Sequence, residues 1–334
     1  MKRIICGALC AILTILSLTA CTDKKPSVTS FEAMDTLMTL TVYGDETVGE
    51  RMKSRIEELD GLLDATDKNS EIFRLNHEKS ASVSADAAEL LNRSLELSAQ
   101  LGGSFDLTVF PAVQAWGFTS GEYRVPDSGE LKKLSDRIDY RRVALSGASA
   151  VLSENTEVDL GAVAKGYAAD VCGKLLGESR AQAAVLNLGG TIRLYGAKPD
   201  GSRFTVGIAD PDNPAAYFGY LSLDSGTVAT SGGYERYFEK DGRRYIHILD
   251  PETAAPVDNG VLSVTVVTDN GADADALSTA LFVMGPDKAA EYYRGHSDID
   301  FAILCKDGTL SLTEGIASCF TLAEGYDLRI KTIH

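Results

Sequence analysis

From Arg142 to the C-terminus the chain is broken into short β-branched and aromatic runs separated by turns, with only two stretches regular enough for helices. This texture predicts strands over residues 184–187, 192–195, 204–208, 218–223, 244–248, 261–268, 301–305 and 309–312, and helices over about 162–176 and 272–284. Lys306-Asp-Gly308, between the last two strands, is a hairpin signal. Such an irregular mixture excludes the strict βαβ alternation of a doubly wound sheet. The expected fold class is α+β, with layered mixed sheets and flanking helices. The first half adds a strand over 36–43 and a helix over 46–66, in which Val48, Met52, Ile56, Leu59 and Leu63 recur every three or four residues. Ser84 caps a second helix running to about residue 101, with Leu91 and Leu95 turned inward.

The N-terminus reads as a targeting signal rather than part of that fold. Lys2 and Arg3 precede an apolar run, 4–18, that is short for a membrane span. Leu18-Thr-Ala-Cys21 has the form of a bacterial lipobox, which predicts cleavage before Cys21 and lipidation of its thiol. The expected organisation is a signal peptide over 1–20, a lipidated cysteine and polar tether over 21–30, and one domain over 31–334. That places the protein outside the cytoplasm, held to a bacterial membrane by lipid rather than by a spanning helix. Cys6 and Cys10 leave with the signal, so Cys172, Cys305 and Cys319 remain, at spacings that match no zinc site. Cys305 and Cys319 can pair in an oxidising compartment; three small buried hydrophobes is the preferred reading. With 32 Lys and Arg against 48 Asp and Glu, the formal charge is −16. No basic surplus exists to displace phosphate counterions, which argues against a nucleic-acid partner.

Four segments carry candidate chemistry. In Val158-Asp-Leu-Gly-Ala-Val-Ala-Lys-Gly-Tyr-Ala-Ala-Asp170 a strand ends in small residues and a helix starts, freeing backbone groups at the helix mouth. Gly161 and Ala162 let a ligand approach the main chain, and Lys165 can reach an anion; the same joint also serves plain packing. In Asp273-Ala-Asp-Ala-Leu-Ser-Thr-Ala280, Asp275 and Thr279 are four residues apart and project from one helix face. A carboxylate with a hydroxyl suits a hard cation such as Mg²⁺, while ordinary helix capping uses the same residue types. Thr227-Val-Ala-Thr-Ser-Gly-Gly-Tyr-Glu-Arg-Tyr237 can wrap polar ligand atoms or simply turn between strands. Behind it, His247 lies between Ile246 and Ile248 in a strand pattern, where a lone histidine usually belongs to the core. The fourth segment, Gly102-Gly-Ser-Phe-Asp-Leu-Thr108, continues to the single tryptophan in Trp116-Gly-Phe118 and offers an aromatic and a carboxylate to a planar heterocycle.

Taken together, the segments resemble the ApbE family of bacterial FAD:protein FMN transferases over nearly the whole chain after the signal. The resemblance rests on Met34-Asp-Thr36, Ser70-Glu-Ile-Phe-Arg-Leu-Asn76, Gly103-Ser-Phe-Asp106 with Trp116-Gly-Phe118, and the segment 159–170. It continues through Asn187-Leu-Gly-Gly190, Thr230-Ser-Gly232, His247-Ile-Leu-Asp-Pro251 and Ala274-Asp-Ala-Leu-Ser-Thr-Ala280. It implies Mg²⁺-dependent cleavage of the FAD pyrophosphate, transfer of FMN to a Ser or Thr hydroxyl of an acceptor protein, and release of AMP. The metal is then expected at the Ala162 carbonyl, Asp275 and Thr279, with Ser278 beside them where some relatives carry a carboxylate. FAD contacts are expected at Met34, Asp67, Ser104, Phe105, Asp106, Asp159, Lys165 and Leu249. Asp67 stands where some relatives have Tyr, and Met34-Asp-Thr36 replaces the commoner Met-Gly-Thr. His247 matches the family histidine and is expected to act as general base or hydroxyl orienter, with Lys165 adding positive charge.

Two other activities fit the same residues: FAD pyrophosphatase action giving FMN and AMP, and storage of FAD without turnover. Acceptors of the family present a Ser/Thr-Gly-Ala-Ser/Thr sequence. Ser146-Gly-Ala-Ser149 has that form in this chain, but between two short strand candidates it reads as a turn.

Overall fold

The computed structural model describes residues 25–296 and 299–334. The lipobox and Cys21 lie outside the described residues.

Nine strands, numbered along the chain, form the main sheet in the order in which they occur: β1 Ser27–Ala33, β2 Thr36–Tyr43, β3 Ala183–Asn187, β4 Thr191–Gly196, β5 Gly226–Gly232, β6 Val261–Thr268, β7 Asp300–Cys305, β8 Thr309–Thr313 and β9 Arg329–Ile333. Every neighbouring pair is antiparallel except β8 and β9, which run parallel. Four long helices, α1 Val48–Leu63, α2 Ala85–Gln100, α3 Ala164–Gly177 and α4 Gly271–Tyr293, belong to the core on one face of this sheet. The other face is covered by a small antiparallel sheet of Phe204–Asp210, Asn213–Leu223 and Phe320–Leu322. Strand β7 shows how the sequence builds three layers. Phe301 and Ile303 enter the helix-side core while Ala302 and Leu304 enter the core under the small sheet, the period of two that a strand buried on both faces requires. The fold is α+β and layered, as its strand pattern implies.

Several local readings change. Residues 27–30, read as tether, form the start of the edge strand β1, paired from Ser27↔Val42 to Ala33↔Thr36. Its alternation is masked by polar outward residues, and only Phe31 and Ala33 face the core. The strand expected over 244–248 stops at Ile246, because both the His247 amide and its Nδ1 turn to the Arg236 carbonyl, at 3.0 and 3.2 Å. The helix expected to end near residue 284 breaks there, at Gly285 with φ 74° followed by Pro286, and then resumes to Tyr293. Ser70 caps an unforeseen helix, Glu71–Glu78, whose Asn76 side chain holds Val158 through both of its backbone groups, at 2.8 and 2.7 Å. Cys172, Cys305 and Cys319 are free thiols, but only Cys172 is buried as expected; Cys305 and Cys319 are half-buried, each on a strand or turn that leaves one side open. Gly147 and Ala148 form the turn of a hairpin in which Ser146 pairs with Ser149.

Helices α3 and α4 cross close to their N-termini at two glycines. A Cβ at Gly166 would lie 2.0 Å from the Gly271 carbonyl oxygen, and one at Gly271 would lie 2.2 Å from that of Gly166. Each helix also caps the other. Asp275 Oδ2 accepts from the Gly166 amide at 2.7 Å, and Asp170 accepts from the Gly271 and Ala272 amides at 2.8 and 3.0 Å. Gly166→Ala therefore costs about 3 kcal/mol of stability or more, despite the better helix propensity of alanine. Gly177→Ala, which meets open space, leaves stability unchanged or raises it by up to about 1 kcal/mol. Thermal unfolding of the two variants, followed by circular dichroism, checks the contrast.

Candidate active site

At the end of the main sheet holding the β1–β2 and β3–β4 turns, a cavity of about 860 Å³ opens beside the N-termini of α3 and α4. Of the expected site residues, all but Asp67 and the lipidation cysteine line it. Asp67 instead accepts from the amide and side chain of Asn69, an Asx turn leading into the helix that Ser70 caps. Asp64, Ala65 and Thr66 supply the wall at that point.

The oxygen cluster follows from the crossed helices. In a continued α-helical ladder the Gly166 amide would bind the Ala162 carbonyl; Asp275 takes that amide, and among the described residues no donor remains for the Ala162 oxygen. Asp275 is 7% exposed, and its Oδ1 accepts from Thr191 of β4 at 2.5 Å. Burial raises its pKa, opposed by the Lys165 ammonium, the Thr191 hydroxyl and the Gly166 amide. One turn further along α4, Thr279 points into the cavity, 3.3 Å from Ser231 Oγ of β5. Ser278 is tied up locally, donating to the Asp275 carbonyl at 2.8 Å and lying 2.7 Å from Ser231 Oγ. A carbonyl, a carboxylate and a hydroxyl, all hard oxygens with spare lone pairs, fit a small divalent metal. Among the described residues no group of three or more His, Cys, Asp and Glu side chains is placed to hold a metal ion, so a cation here would depend on hydroxyl and main-chain oxygens beside the single carboxylate.

Two cationic or basic groups line the same cavity. Lys165, in the first turn of α3, makes no ion pair or hydrogen bond among the described residues, so its ammonium is available to an anion. His247 is half-buried by area yet crowded by the cavity wall. That crowding pushes its pKa down to about 4, with the Arg236 and Lys165 charges adding to the effect and the Arg236 carbonyl opposing it. Nδ1–H donates to the Arg236 carbonyl, which leaves Nε2 as an acceptor. The remaining wall is less chemical. Asp106 spends both oxygens on the fold, accepting from Thr108 twice and from the Tyr140 amide, so it shapes the Ser104-Phe105 loop. Asp159 accepts from the Gly161 amide at 2.8 Å and turns the chain toward Ala162. Met34, at φ 48°, and Asp35, at φ 59°, form the β1–β2 turn, and the Met34 amide donates to Asp60.

Arg236, Asp60 and Tyr234 also line the cavity without having been singled out, beside Ser231 of the Thr230-Ser-Gly232 stretch. The segment 227–237 carried Tyr234 and Arg236, but nothing in its residue types separates a lining tyrosine or arginine from a turn residue. Arg236 pairs with Asp35 across the mouth at 3.1 Å, both side chains being largely exposed.

Comparison with known proteins bears on the family and the fold. The model of the ApbE family matches residues 34–303. An FAD:protein FMN transferase of Klebsiella pneumoniae (strain 342) is 31% identical over 284 residues, covering 80% of this chain and 85% of the relative. One of Treponema pallidum (strain Nichols) is 33% identical, covering 80% and 79%. The crystal structure of an ApbE protein from Thermotoga maritima superposes with a TM-score of 0.82 at 28% identity, over 88% of this chain and 99% of that one. The apo flavinyl transferase ApbE of Pseudomonas stutzeri gives 0.78 at 28% identity, over 89% and 98%. Fold, cavity and relatives together define an enzyme of the transferase class. The chain belongs to the ApbE family.

The lowered His247 pKa has two measurable consequences. An imidazole that is neutral above about pH 4 can still accept a proton at Nε2 there, so a rate that uses it does not fall near the ordinary histidine value of 6.5. Below pH 6.5 the unfolded chain binds a proton that the folded imidazole refuses, so stability declines between 6.5 and about 4. A pH–rate profile and denaturant titrations at several pH values check both, with His247→Gln removing the stability decline and any rate inflection near pH 4.

Proposed function

We propose that this enzyme is a Mg²⁺-dependent FAD:protein FMN transferase that releases AMP and modifies a Ser or Thr hydroxyl of an acceptor protein. The observation that carries the reading is the cluster of the unclaimed Ala162 carbonyl, Asp275 and Thr279 facing an unpaired Lys165 and the free Nε2 of His247 in one cavity. In the step envisaged, the acceptor oxygen bonds to the phosphorus on the flavin side and the bridge oxygen leaves with AMP. The acceptor proton passes to His247 Nε2, whose partner on Nδ1 keeps the ring in the required tautomer. Lys165 meets negative charge building on the phosphate oxygens. Mg²⁺, held by Ala162, Asp275 and Thr279, would stabilise that charge without proton transfer. Met34, Ser104, Phe105 and Leu249 offer backbone and apolar contacts to FAD, with Asp159 at the helix mouth. The lipobox at Cys21 supports an extracytoplasmic, lipid-anchored location.

The direct test combines the protein with FAD, Mg²⁺ and an acceptor fragment bearing a Ser/Thr-Gly-Ala-Ser/Thr sequence. The acceptor gains the mass of one FMN as AMP appears; AMP without an acceptor adduct overturns the transfer reading. Asp275→Asn abolishes metal-dependent turnover. Asparagine is the right probe because alanine would strand the buried Gly166 amide, at a cost of about 1–3 kcal/mol. His247→Ala slows transfer by about 10²–10⁴-fold while leaving the FAD dissociation constant nearly unchanged. Stopped-flow transfer rates and flavin fluorescence titration separate the two effects.

A further inference from the structure

Strand β4 touches the crossed helices twice through one face. Thr191 donates directly to Asp275, and Arg193, two residues on and therefore on the same side, reaches the base of α4. Its Nη1 lies 2.9 Å from Thr227 Oγ1 and 3.5 Å from Asp170 Oδ1, and it donates to the Asp269 carbonyl just before the α4 cap Asn270. Asp170 is the carboxylate that accepts from the first two amides of α4. The Arg193 side chain is 21% exposed and that of Asp170 17%. Arg193 Nε is buried with no partner, so the guanidinium sits where it does for the contacts of Nη1.

We propose that Arg193 is a positioning residue for the metal-binding oxygen cluster, acting through Asp170 and the Asp269 carbonyl on the N-terminal turn of α4. Asp275 and Thr279 stand one and two turns beyond that clamp, so the rotation and depth of the first α4 turn set where their oxygens lie. Burial raises the pKa of half-buried Asp170, and the Gly271 and Ala272 amides and then the Arg193 charge oppose that shift. The same guanidinium holds the preceding carbonyl, so the helix start is pinned on both sides of its cap residue. Arg193 touches neither the cavity nor any expected ligand, and it contributes by placing others.

This inference rests on the Mg²⁺ reading, and its test separates the two. Mn²⁺ binding to the full chain without FAD is measured by electron paramagnetic resonance for the wild type, Arg193→Gln and Arg193→Lys. Hydrogen exchange at the Gly271 and Ala272 amides is followed in the same proteins. Arg193→Gln weakens Mn²⁺ binding by about tenfold or more and accelerates exchange at those two amides, while exchange in β2 is unchanged. Arg193→Lys restores part of both, since it keeps the charge but not the forked geometry. Unchanged Mn²⁺ affinity and unchanged local exchange in a folded Arg193→Gln overturn the proposal, as does acceleration spread evenly over the molecule. Should the glutamine variant not fold, Arg193→Lys is read by the same two criteria. A wild type that binds no Mn²⁺ overturns the metal reading instead, and the exchange comparison still decides the role of Arg193.

Discussion

Two helix N-termini pressed together, each capped by a carboxylate from the other, form the joint on which the rest of this site depends. An N-terminus leaves amides without partners and carries partial positive charge, so two of them in contact repel unless anions lie between. Here Asp275 and Asp170 serve as those anions, each four residues beyond the glycine of its own helix and bonded to the amides of the other. Charge-assisted hydrogen bonds of this kind contribute about 1.5–3 kcal/mol each. The close approach requires glycine at both 166 and 271, since any side chain would enter the opposing backbone.

The chemistry follows from what that joint leaves unsatisfied. Because Asp275 takes the Gly166 amide, the Ala162 carbonyl faces the cavity without a donor. Because Asp275 is buried, its negative charge is poorly solvated and gains from a nearby cation. Lys165 is carried on the same first turn of α3 and supplies positive charge to the cavity, offsetting in part a chain with a formal charge of −16. A protein so acidic meets an anionic dinucleotide only where local positive charge overcomes its overall field.

His247 illustrates how position outweighs residue type. Its place between two isoleucines matches a core histidine, and a regular strand would have put its ring among apolar neighbours. The ladder ends one residue earlier, and both its amide and its Nδ1 turn to a single carbonyl. The ring is thereby held neutral at the cavity wall, with one nitrogen committed and the other open.

The layered α+β architecture, the stripe of α1, the cap at Ser84, the free cysteines and the helix-borne pair Asp275 and Thr279 were legible in the sequence, because periodicity and capping are local properties of consecutive residues. Nearly every site residue that the motif resemblance named lines the cavity, Asp67 being the exception within the fold. Tertiary structure alone decided the others. It moved Asp67 into an Asx turn, made Asp106 a structural acceptor rather than an open carboxylate, and enlisted residues 27–30 into an edge strand whose partner lies across a turn. It also showed that Gly166 and Gly271, about a hundred residues apart, touch, and that Arg193 stands behind them. Those outcomes depend on which hydrogen-bond partner reaches a group first in three dimensions. No local pattern encodes that competition, since an aspartate that caps, one that pairs and one that awaits a cation are the same residue in a sequence.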